Sequence, residues 1–99
     1  MSFESTTRVT GATVARLARG VRLRDDPVRG RKVLLAPERA LALDDIALRI
    51  LEALDGERSI DRIAADFARA FNAPPEQIAG DIIGFVQALA DRRMLEIVS

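Results

Sequence analysis

The sequence predicts an α+β domain, a three-stranded antiparallel meander followed by three helices. Three observations carry that expectation. Between Gly20 and Leu43 the apolar residues come in short, strand-length runs separated by breaks that contain proline or glycine. After Asp44 the apolar spacing changes to three and four residues, the period of a helix. The helical half is then interrupted twice, at Asp55-Gly56 and at Asn72-Ala73-Pro74-Pro75.

Each element follows from its own residues. The opening segment, Met1 to about Ala15, is rich in Ser, Thr and Ala with little periodicity, which predicts a flexible or extended arm over residues 1–16 and a folded domain over 17–99. "GVRLRDD" alternates, with Val21 and Leu23 on one face and Arg22 and Arg24 on the other, as a half-buried strand does. "DDPVRG" is a turn punctuated by Pro27 and Gly30, and "RKVLL" is the second strand. "APER" turns the chain again, because Pro37 has no N–H to give a ladder. "ALAL", Ala40 to Leu43, is the third strand, and short connections make the three a meander.

Asp44 or Asp45 is placed to cap a helix carrying Ile46, Ile50, Leu51 and Leu54. Gly56 suits a left-handed position just past its end. Ser59 is a cap for a second helix with an apolar stripe of Ile60, Ile63, Ala64, Phe67, Ala68 and Phe71, which reads as core. Pro75 fits the first turn of a third helix lined by Ile78, Ile82, Phe85, Val86 and Leu89. "MLEIVS" closes as a short final strand. Two short helices and a longer third, with a sheet beside them, match winged helix-turn-helix-like packing.

Composition narrows the chemistry. The 99 residues suit a single domain. There is no Cys, His, Trp or Tyr, so disulfides, Cys/His zinc sites, a Ser-His-Asp triad and the usual near-neutral general base are excluded. Neither acidic pair, Asp25-Asp26 or Asp44-Asp45, has a third ligand at calcium-loop spacing, and no glycine-rich phosphate loop is present. No catalytic residue, metal or cofactor is expected. The first residues lack the charged and apolar regions of a secretory signal, and no run approaches the roughly 20 apolar residues of a membrane span, so a cytoplasmic protein is expected. Charge is divided unevenly: residues 1–43 carry nine cations against four anions, and residues 44–99 carry six Arg against eleven acids.

With these residues in order, "LARGVRLRDDPVRGRKVLLAPERALALDD", "ILEALDGERSIDRIAADFARAF" and "DIIGFVQALADRRML" together resemble the PqqD family, over about Leu17 to Leu95. The most specific pieces are "RGRKVLLAPE" and "LDGERSIDRI". The resemblance implies a peptide chaperone of pyrroloquinoline quinone biosynthesis. Such a domain binds the ribosomally made precursor peptide PqqA and presents it to the radical S-adenosylmethionine enzyme PqqE, which crosslinks Glu and Tyr side chains of the peptide. It also implies that the peptide adds as a strand to the third strand of the meander and packs against the third helix. The sequence departs from the family pattern at Asp44 and Ile46, where Asn and Thr or Ser are frequent, and at Arg93, where Gly is frequent.

The residues themselves permit the same site. The last strand of a meander is an edge with unpaired N–H and C=O groups, a template for an added strand. "ALAL" carries no charge or proline to protect it; the charges sit at its ends. The candidate peptide-binding residues are therefore Arg39, Ala40, Leu41, Ala42 and Leu43, with Ile82, Phe85, Val86 and Leu89 as the adjoining wall. Alternatives use the same features: the edge covered by the arm or the third helix, a winged helix DNA-binding regulator, or a self-associating domain pairing its open edges as a homodimer. Against DNA, the helices that would enter the groove carry Asp61, Asp66, Glu76, Asp81 and Asp91, and phosphates repel acids. Gly80 and Gly84 leave one helix face bare, for a close helix contact or for a peptide. The cationic first hairpin is a solvated face or a dock for an acidic protein surface.

Overall fold

A computed structural model describes residues 8–28, 30–37 and 39–98. The start of the expected arm, residues 1–7, lies outside the described residues, as do Arg29 and Glu38 in the two expected turns. The elements run β1 (Val14–Leu17), β2 (Arg22–Asp26), β3 (Arg31–Ala36), β4 (Arg39–Ala42), α1 (Asp45–Ala53), β5 (Asp55–Ser59), α2 (Ile60–Phe71), α3 (Pro75–Asp91) and β6 (Leu95–Ile97). None of these helices is long and apolar enough to cross a membrane.

The meander and the three helices stand where the periodicity puts them. β2, β3 and β4 form an antiparallel sheet in that order. Leu23, Leu34 and Leu41 lie opposite one another on one face, and Leu34 is fully buried. Asp44 caps α1, its carboxylate accepting from the Ala47 N–H at 2.7 Å. Ser59 caps α2 by accepting from Arg62 N–H at 3.2 Å, and Pro75 opens α3. These caps satisfy N–H groups that a helix start otherwise leaves unbonded.

A second sheet was not expected. Its order is β5-β1-β6, with β1 in the middle. The arm therefore does not extend to residue 16: Val14–Leu17 is a central strand, and Val9, Thr13 and Ala15 are buried. The segment before it also closes α2. Ile60 N–H donates to Thr13 O at 3.0 Å and Asp61 N–H to Gly11 O at 2.9 Å. A side chain at Gly11 would run into the Asp61 carboxylate, which would have to move aside. At the other end, Val9 N–H donates to Gln87 Oε1 on α3 at 2.8 Å.

β5 is the other addition. "DGERS" carries no apolar alternation, and its strand character comes from pairing with β1 across an irregular register between Val14↔Ser59 and Arg16↔Asp55. Gly56 is left-handed at φ 78°, as its sequence context suggests, but it sits inside β5, two residues past the Leu54 cap, where the ladder shifts. The helix-turn-helix thus has a strand where the turn was expected. β6, the anticipated final strand, pairs with β1 so that Arg16 faces Glu96, and their side chains form an ion pair at 2.6 Å.

One core joins both sheets to all three helices. Leu34 and Leu43 come from the meander and its exit, Ala15 and Leu95 from the second sheet, and Ile50, Ile63, Ile82 and Val86 from the helices. α3 ends in a hairpin of bonds, Arg93 N–H to Ala90 O at 2.9 Å and Met94 N–H to Leu89 O at 2.9 Å. This closure puts Arg93 at φ 62°. The left-handed value explains why glycine suits this position and why arginine is strained there.

Candidate functional site

β4 is an edge strand: among the described residues it pairs with β3 and with nothing on its other side. The register shows which of its groups are open. Leu43 N–H donates to Lys32 O at 3.2 Å, so Lys32/Leu43 is a bonded pair. Opposed residues in an antiparallel ladder alternate between bonded and non-bonded pairs. Leu34/Leu41 and Ala36/Arg39 are then bonded, while Ala40 and Ala42 aim their N–H and C=O groups away from β3. Two residues of the five singled out in sequence therefore offer backbone to an added strand. Leu41 is half-buried toward the core and Leu43 is buried within it. Arg39 belongs to β4 at its start.

The wall expected from α3 is placed differently. Ile82, Val86 and Leu89 are 1, 0 and 2% exposed, so they fill the core and do not form a surface. They are spaced four and three residues apart and lie on the face that α3 packs against α2 and β6. Phe85 is half-buried against the same core. Gly80 and Gly84 are exposed with nothing near a would-be side chain, so no close helix approach explains them.

What α3 does present is one side of an apolar groove of about 450 Å³. Its lining is Ile46, Arg49 and Ile50 of α1, Phe67 and Phe71 of α2, Ala73 after it, and Gln77, Ile78, Asp81 and Ile82 of α3. Ile46 is 71% exposed and Phe71 51% exposed, although the stripe of α2 that contains Phe71 reads as core. Phe71 meets Phe67 edge to face at 5.8 Å, and the Arg49 guanidinium lies 5.5 Å from its ring centre. Ile46 stands in the first turn of α1, four residues beyond the end of β4, so strand edge and groove are consecutive in the chain.

Sequence reasoning missed Ile46, Arg49 and Phe71 as site residues. A signal existed. Ile46 and Ile50 form one column, and Phe67 and Phe71 another, each extending an apolar stripe a full turn past what one core contact requires.

The polar groups near α2 are engaged with one another. Arg58 donates to Asp55 Oδ2 (2.9 Å), Asp66 Oδ2 (3.0 Å) and Ala53 O (3.1 Å), tying β5 to α1 and α2. Arg69 and Arg62 also approach Asp66, at 2.7 and 3.9 Å. Backbone N–H groups of Arg58 and Glu57 hold the Asp55 carboxyl down at about 2, and the Arg69 and Arg58 guanidinium groups lower that of Asp66. The cations that α2 would offer to phosphate are thus paired with a carboxylate, which weighs against a nucleic-acid contact there. No cluster of three or more acidic side chains among the described residues could hold a metal ion.

Comparison with known proteins identifies the family and the fold. The family model for coenzyme PQQ synthesis protein D (PqqD) matches residues 31–95. The chain is 67% identical over 90 residues to the PqqA binding protein of Rhizobium meliloti, covering 91% of this chain and 92% of that one. It is 44% identical over 90 residues to the bifunctional coenzyme PQQ synthesis protein C/D of Methylorubrum extorquens, spanning 24% of that longer protein. The solution NMR structure of the PqqD truncation of Methylobacterium extorquens PqqCD, a functional stand-alone RiPP recognition element, superposes with a TM-score of 0.78 at 44% identity, over 92% of this chain and 96% of that one. The meander, the three helices and these relatives lead to one conclusion: the chain belongs to the PqqD family.

Proposed function

We propose that this domain binds the precursor peptide PqqA by strand addition to β4 and presents it to the radical S-adenosylmethionine enzyme PqqE in pyrroloquinoline quinone biosynthesis. The observation that carries the reading is the open edge of β4, with the amides and carbonyls of Ala40 and Ala42 directed outward and an apolar groove following at Ile46. The PqqA binding protein of Rhizobium meliloti, at 67% identity, supports the choice of peptide.

In this reading the segment Arg39–Leu43 supplies backbone pairing, which is tolerant of side-chain identity. Selectivity comes from apolar peptide side chains entering the groove beside Ile46, Ile78 and Phe71, with Ile82 as its floor. Phe85, Val86 and Leu89 act from behind, by fixing α3. The domain is a non-catalytic cytoplasmic carrier, and the crosslinking chemistry belongs to the enzyme.

The register also selects the decisive variant. Leu41→Pro removes an N–H that bonds β3, so it damages the fold along with the site. Ala42→Pro removes an N–H that points outward, which an edge strand tolerates. Titration calorimetry with synthetic PqqA is expected to show Ala42→Pro weakened by about tenfold or more, through lost backbone bonds worth about 1 kcal/mol each and the intruding ring. A folded Ala42→Pro protein that binds PqqA as tightly as the parent would overturn strand addition at β4.

A further inference from the structure

The meander is apolar on both faces. Its inner row, Leu23-Leu34-Leu41, belongs to the core. Its outer rows are Arg22-Leu35-Ala40 and Arg24-Val33-Ala42. An antiparallel sheet with one face in water ordinarily alternates apolar-in and polar-out. Here Val33 and Leu35 are only half-covered, and Ala40 and Ala42 are exposed. The four line a shallow depression of about 420 Å³ together with Arg24, Asp25, Asp26 and Pro27.

Charge borders this floor on one side. Arg22 and Arg24 are exposed along β2, and no carboxylate of the described residues pairs with either. Two other cations of the sheets do have such partners: Lys32 bonds Asp25 at 2.8 Å and Arg16 bonds Glu96 at 2.6 Å. At the far end of the same face Asp26 stands opposite Arg31. The result is an apolar strip beside two guanidinium groups that have no carboxylate partner among the described residues, with Asp25 and Asp26 also lining the depression.

We propose that this outer face is the docking surface for the enzyme that modifies the bound peptide, through a patch on that enzyme where apolar side chains are bordered by carboxylates. The inference rests on the presentation role proposed above. Two features favour this occupant. The unpaired arginines call for carboxylates, and guanidinium forks bind these in a planar, two-bonded geometry. The face is also continuous with the peptide site, because Ala40 and Ala42 belong to both. A strand added to β4 would place every second side chain on this same outer surface. The enzyme would then meet carrier and peptide as one sheet, and would grip the loaded carrier better than the empty one.

The test compares the domain–PqqA complex of the parent protein with that of an Arg22→Glu/Arg24→Glu variant, each titrated against purified PqqE by biolayer interferometry at two salt concentrations. The variant is expected to bind the enzyme about tenfold or more weaker, chiefly through slower association, and to lose the salt dependence of the parent. Its affinity for PqqA alone is expected to be unchanged. Undiminished binding of the enzyme by the variant would overturn the docking surface while leaving presentation intact. Failure of the parent complex to bind PqqE would instead overturn presentation itself. An Arg22→Gln/Arg24→Gln variant, which removes charge without reversing it, decides by the same criteria if the reversal disturbs the fold.

Discussion

The two three-stranded sheets of this domain are assembled on opposite plans. β2-β3-β4 is contiguous in sequence, each strand turning directly into the next. β5-β1-β6 collects three segments from across the chain, so that Arg16 bonds Glu96, 80 positions away. The contiguous sheet needs no distant partner to hold its last strand, and that strand is the one left open. The collected sheet ties the ends of the fold together, with Val9 fastened to Gln87, Thr13 to Ile60 and Arg58 to three acceptors. One sheet closes the structure; the other keeps an edge available, and local turns are what let it do so.

The largest test of that division is removal of residues 1–17. If β1 is the centre of a sheet and not an arm, the truncated chain loses cooperative thermal unfolding by circular dichroism. A truncated protein with an unchanged melting transition would break the comparison. Next is Leu34→Ala in the middle of the meander, expected to cost about 2–5 kcal/mol in urea titration, because a fully buried leucine leaves a cavity. Within β4 the two proline variants sharpen the contrast between inward and outward groups. Leu41→Pro gives up a ladder bond worth about 1 kcal/mol and lowers the melting temperature, while Ala42→Pro leaves it nearly intact.

Much of this architecture is legible in sequence, and the rest is hidden for identifiable reasons. Val21 and Leu23 announce the first strand of the meander because a strand that buries one face alternates, and Val33-Leu34-Leu35 the second because it is a strand-length apolar run between Gly30 and Pro37. Asp44, Ser59 and Pro75 announce helix starts because a helix leaves its first N–H groups unbonded. "VARL" and "DGERS" announce nothing. β1 hides its alternation behind small residues, and β5 is polar and earns its pairing only from β1. Burial along α3 was misjudged for a related reason. A stripe of Ile82, Val86 and Leu89 has the same period whether it faces a core or a ligand, and only the packing of α2 and β6 against it decides.

Two smaller effects concern the junctions that fasten the collected sheet. Arg93→Gly, at the turn from α3 into β6, relieves a left-handed arginine and is expected to stabilise the protein by roughly 0.5–1 kcal/mol, seen as a higher melting temperature. Asp55 gives a pH signature. Its folded-state pKa of about 2 lies below the usual carboxylate value of 3.8, so its contribution is present above pH 3.8 and is lost as pH falls toward about 2. Asp55→Asn should flatten the acid limb of the melting temperature between those values and lower the neutral-pH transition by a matching amount. An identical acid limb in the variant would assign that limb to other carboxylates.

The pairing of Ala15 with Ile97 has a consequence in time. During synthesis the meander can close as soon as Ala42 has emerged, since all its partners lie within a few turns of chain. β1 must wait for Leu95–Ile97 before its second edge is filled. Completion of the collected sheet is therefore among the last events of folding, and pairing over such separations is slow. For that interval a nascent chain exposes one side of β1 in addition to the edge of β4. In that interval a peptide with an affinity for open strands can meet either edge, and once β6 has paired with β1 only that of β4 remains of the two.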